Sequence, residues 1–68
     1  MSRIDPARHR AQRLLARETA LAEQYAYLYC AALADSDPRS ARRWNHEYRL
    51  SSFRCRALSA FVHAGDGH

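Results

Sequence analysis

Ala34-Asp35-Ser36-Asp37-Pro38 is the stretch on which the fold turns. Asp37 is a good helix N-cap, because its carboxylate accepts hydrogen bonds from the first free backbone N–H groups of a helix. Pro38 suits the first helical position, where its missing N–H costs no intrahelical bond. The same pair occurs once more, at Asp5-Pro6. No glycine or proline lies between Pro6 and Pro38, and none between Pro38 and Gly65. The spacing therefore predicts a helix over residues 6–34, a connection over 35–37 and a second helix over 38–64. Gly65 is the expected C-terminal stop, with a frayed tail behind it, so that 65–68 lie outside the helix. Each helix is about 40 Å long at 1.5 Å per residue. So short a link between long helices requires them to fold back antiparallel.

Composition agrees with an all-α class. Ala, Leu and Arg dominate, which favours helix. Strand-type residues are scarce: Ile4, Thr19 and Val62 are the single examples of their kinds. Apolar residues make up 47%, too many for intrinsic disorder. A chain of 68 residues is near the lower limit for burying enough surface to fold as one domain over 1–68. Small domains of this size usually need a disulfide, a metal or self-association.

The apolar spacing gives each helix a seam. In the first, Ala11, Leu14, Leu21, Tyr25, Leu28 and Ala32 recur in steps of three and four, with Glu18 inside the series. In the second, Ala41, Trp44, Tyr48, Ser51, Cys55, Leu58 and Val62 repeat the pattern. Pairing about the loop centre sets Trp44 against Tyr29 and Tyr48 against Tyr25. Leu50, Phe53, Ala57 and Phe61 form a second apolar group, off the seam of the second helix. One facing helix covers one stripe only, so this group is left as an interface. A homodimer closing a four-helix bundle over these four residues is the simplest expectation.

The basic residues are all arginine, and the formal net charge is +4. That balance bears on partners and not on fold, although codon bias in a GC-rich genome produces the same usage. Arg8, Arg10, Arg13 and Arg17 crowd the first helix and are the candidate nucleic-acid contacts of an alternative, DNA- or RNA-binding reading. Around the helix they are expected to spread over much of the circumference. Glu18 is expected to pair with Arg54 or Arg49 of the second helix, a contact that fixes register more than it stabilises.

Enzymatic chemistry finds no support in the residues. No phosphate-binding glycine loop, nucleophile elbow or ordered acid–base pair occurs. His9, His46, His63 and His68 are too scattered to share a metal with Cys30 or Cys55, and those two cysteines sit at different heights of a hairpin. Neither catalysis, a cofactor nor a metal is expected. Residues 1–17 hold five Arg and no apolar core of signal-peptide length. The longest apolar run, 25–34, is too short to span a bilayer, so a cytoplasmic protein without membrane contact is expected.

The segment Asn45-His46-Glu47-Tyr48-Arg49, behind an acidic loop containing Ser36, resembles the matching stretch of small bacteriophage anti-activators. Glu23-Gln24-Tyr25 through Ser36 is similar in pattern, and the likeness covers about residues 20–60. The Arg-rich first helix and the lack of acidic character in the second depart from that pattern. The resemblance implies a dimeric helical hairpin of phage or mobile-element origin. Such a protein blocks a host protein, such as a quorum-sensing transcriptional regulator or a pilus-assembly ATPase, by occupying its surface. Tyr27, Arg42, Arg43 and Arg49 are the candidate partner contacts of such an inhibitor or adaptor, because they point away from the seam or ring its apolar anchors.

Overall fold

The computed structural model describes residues 5–64. It contains two α-helices, α1 (Pro6–Ala34) and α2 (Pro38–Val62), packed against each other along their length as an antiparallel hairpin. No strand occurs among the described residues. Helix α1 has the bounds that the Asp-Pro starts predict. Helix α2 stops two residues short of position 64: the His63 N–H donates to Ser59 O at 3.0 Å, and the Ala64 N–H turns back to Phe61 O at 3.3 Å. Gly65, the expected stop, and the tail beyond it lie outside the described residues.

Both N-termini are capped by the aspartates that precede proline. Asp5 Oδ1 accepts from the Ala7 N–H at 3.0 Å, and Asp37 Oδ1 accepts from the Ser40 N–H at 3.1 Å. Ser40, through its side chain first and then its backbone N–H, holds the Asp37 carboxyl below the usual carboxylate range.

The reversal between the helices is tighter than a plain loop. The Ser36 N–H donates to Leu33 O at 3.1 Å, and the Asp37 N–H donates to Ala32 O at 2.9 Å. These are the two bonds of a Schellman termination, in which the residue after the C-cap takes left-handed geometry. Ser36 does so with φ 55°, where glycine is the usual occupant. Asp37 therefore serves both helices at once: its N–H closes α1 and its carboxylate opens α2. No residue is left over for a flexible linker, and the antiparallel return follows.

The core is thin. Ala11, Ala32, Ala41 and Val62 are buried, with Ser51 the most buried of the described residues at 1% exposure. Small side chains win the contact line because two helices approach most closely where little stands between them. Larger residues of the same stripe are pushed to its edges. Leu14 and Tyr48, both expected in the seam, are 43% and 40% exposed, which corrects that part of the core.

Aromatic pairing departs from the loop-centred register as well. Trp44 stacks on Tyr25, with ring centroids 5.9 Å apart and planes at 19°, and so its partner lies one turn farther from the loop than Tyr29. Long side chains in interlocked helices settle between the residues opposite them instead of meeting their own height. The seam is anchored midway by a polar contact. The Ser51 hydroxyl donates to Glu18 Oε2 at 3.1 Å, and Arg54 Nη1 stands 3.9 Å from Glu18 Oε1. Arg54, not Arg49, is thus the partner across the seam. Ser51 is the one that the spacing did not single out.

Candidate protein-binding surface

Spacings of three, four and four residues place Leu50, Phe53, Ala57 and Phe61 on one side of α2. All four are exposed, Phe53 at 70% and Phe61 at 50%. Phe53 and Ala57 also line an open groove of about 310 Å³, shared with Leu58, Arg54, Glu18 and Leu14. Leu14 is the contribution of α1 that sequence spacing missed, because a seam position reads as core until the packing leaves it at the edge. The apolar surface is therefore built by both helices and is not a feature of α2 alone.

Helix α1 adds a second element to the same region. Arg10, Arg13 and Arg17 surround Leu14 in an adjoining concavity of about 310 Å³. Steps of three and four residues confine these arginines to an arc of about 60° at 3.6 residues per turn. The four arginines of the expected cluster thus divide: three form a strip, and Arg8, half-buried, lies on another side of the helix. Arg10, Arg13 and Arg17 are exposed and have no carboxylate partner among the described residues. The strip was readable from the i, i+3, i+7 spacing, once Arg8 was set aside.

The four other candidate contacts do not share a site. Arg42 lines a loop-end groove of about 360 Å³ with Tyr29, Leu33, Pro38, Ala41 and Asn45. The Arg43 guanidinium lies over the Trp44 ring, 5.2 Å from its centroid, and the same ring stacks on Tyr25. Tyr27, 74% exposed, and Arg49, also exposed, stand outside both features.

The opposite flank carries a groove of about 630 Å³, lined by Leu15, Ala22, Tyr48 and Cys55 among others. Here the Thr19 hydroxyl bonds back to Leu15 O at 2.8 Å and touches Cys55 Sγ at 3.8 Å. Cys30 and Cys55 are both free thiols. Among the described residues, no group of three or more His, Cys, Asp or Glu is placed to hold a metal ion. No helix of the described residues is long and apolar enough to cross a membrane. The chain matches no family model, no curated protein and no solved structure.

Proposed function

We propose that this chain is a non-enzymatic protein-binding hairpin that works stoichiometrically, by covering part of another protein's surface. One observation carries the reading: Phe53, Phe61, Leu50 and Leu14 stand exposed along one flank of a hairpin whose own core is limited to alanines, one valine and one serine. Exposed aromatics clustered on a rigid helical face are the side chains that supply binding energy when buried in a partner. The resemblance of Asn45–Arg49 to phage anti-activators supports a target of the host-regulator kind, bound by occlusion. A second copy, closing a four-helix bundle over Leu50, Phe53, Ala57 and Phe61, would cover the same flank and so competes for it.

The alternative reading is nucleic-acid binding, and the Arg10–Arg13–Arg17 strip is the observation in its favour. Against it, the strip adjoins an apolar groove through Leu14, and exposed apolar anchors beside the arginines suit a protein surface better than a phosphate backbone. The test is a pull-down from host-cell lysate with the tagged chain, its Phe53→Asp variant, and nuclease treatment of each. The expected result is one protein retained near equimolar yield, lost with Phe53→Asp and indifferent to nuclease. Retention that vanishes with nuclease and survives Phe53→Asp would sink the protein-binding reading.

A further inference from the structure

We infer that the groove of Leu14, Phe53, Ala57 and Leu58, with Arg10, Arg13 and Arg17 beside it, is the docking site for an acidic amphipathic helix of another protein. The inference rests on the protein-binding reading above and names the chemistry of the partner. Leu14 belongs both to the apolar groove and to the arginine concavity, so the two form one continuous surface. The groove runs between two helices, which is the shape that accepts a third helix by its apolar stripe. Carboxylates flanking that stripe would then meet Arg10, Arg13 and Arg17, which no acid of this chain neutralises among the described residues.

Charge distribution decides against a second copy as the occupant of this groove. The open half of the hairpin, residues 5–20 and 52–64, carries six Arg against two acids. The loop half, residues 21–51, carries four Arg against four acids and offers no net complement. The groove and the arginine strip lie at the same height, so a two-fold axis across the helices brings both strips together. A two-fold axis along the helices instead sets each strip against residues 52–64 of α2, which hold Arg54 and Arg56 and no acid. A like-charged approach of that kind disfavours self-docking and favours an acidic partner. Leu14 and Phe53 supply apolar anchors of the type that a helix buries, and these distinguish the site from a phosphate-binding surface.

The test uses the full chain and three labelled helical peptides that share one Leu/Phe stripe, flanked by Glu, Gln or Lys. Affinities are read by fluorescence anisotropy at low salt, beside a short DNA duplex and phosphatidylglycerol vesicles. Exposed ion pairs contribute roughly twofold each, so the Glu peptide is expected to bind about tenfold more tightly than the Gln peptide, and the Lys peptide least. Combining Arg10→Gln, Arg13→Gln and Arg17→Gln should remove the Glu preference and leave the Gln peptide's affinity unchanged. Phe53→Ala should weaken all three peptides. Equal binding of the Glu and Gln peptides, still dependent on Phe53, would overturn the acidic partner and leave the protein-binding reading standing. Preferential, arginine-dependent retention of the duplex or the vesicles would overturn both. Sedimentation that shows a Phe53-dependent dimer excluding every peptide would make a second copy the occupant and overturn the inference. A monomeric chain that binds none of the three peptides would overturn it as well.

Discussion

At the scale of single residues, Ser36 carries the sharpest consequence. Its φ of 55° is the left-handed geometry that the reversal demands, and holding it costs an L-residue with a Cβ roughly 1–2 kcal/mol. Glycine removes that strain but loses more chain entropy on folding, about 0.5–1 kcal/mol. Ser36→Gly is therefore expected to stabilise the hairpin by about 0.5 kcal/mol, a rise of about 2–4 °C in Tm for a domain of this size. Ser36→Ala keeps the Cβ and should give no such gain. Circular dichroism melts of the two variants check this directly, and a lower Tm for Ser36→Gly would mean that the turn is not strained at that residue.

At the scale of elements, the two Asp-Pro pairs made the helices readable, because capping and proline geometry are local and act wherever they occur. The Schellman turn was not readable in the same way: without a glycine at position 36, nothing in the sequence marks a left-handed residue there. The seam was readable as a stripe but not in depth. Periodicity assigns Leu14, Tyr48 and Ser51 to the same face without saying which of them the closest approach will select. Ser51 won because it is small and because Glu18 stands opposite to accept its hydroxyl, 3.1 Å away. The arginine strip was legible in principle, since its spacing is helical, but Arg8 at the head of the cluster blurs the pattern.

The Glu18–Ser51 contact makes a further prediction at this scale. Ser51→Ala removes one hydrogen bond to a charged acceptor and should cost about 1–3 kcal/mol. Glu18→Leu should cost a similar amount at most, because a helical serine can return its hydroxyl to the carbonyl four residues back. Joining the two changes removes both polar partners together and is expected to recover much of the loss. The apolar double variant should also slip in register, because the polar contact that fixes the helices midway is gone. Urea melts measure the non-additivity, and amide chemical-shift dispersion reports the slippage. Fully additive losses would show that the contact plays no part in the pairing of the helices.

At the scale of the whole molecule, a hairpin this thin has few buried side chains of its own, so a partner that covers its flank should raise its stability. Four buried apolar residues supply little of the free energy that offsets the ordering of two long helices. Whatever binds the folded flank and not the unfolded chain adds stability by mass action, about 2.7 kcal/mol at a ligand concentration one hundred times Kd. For a domain of 60–100 residues that is a rise of roughly 10–20 °C in Tm. With the Glu-flanked peptide as that ligand, the rise is expected to shrink as salt screens the Arg10, Arg13 and Arg17 contacts, since all three are exposed. A Tm that climbs with the chain's own concentration and ignores the peptide would place the missing stability in self-association. A Tm that responds to peptide and salt but not to chain concentration assigns it to a foreign acidic helix, and binding and folding of the hairpin then become a single linked equilibrium.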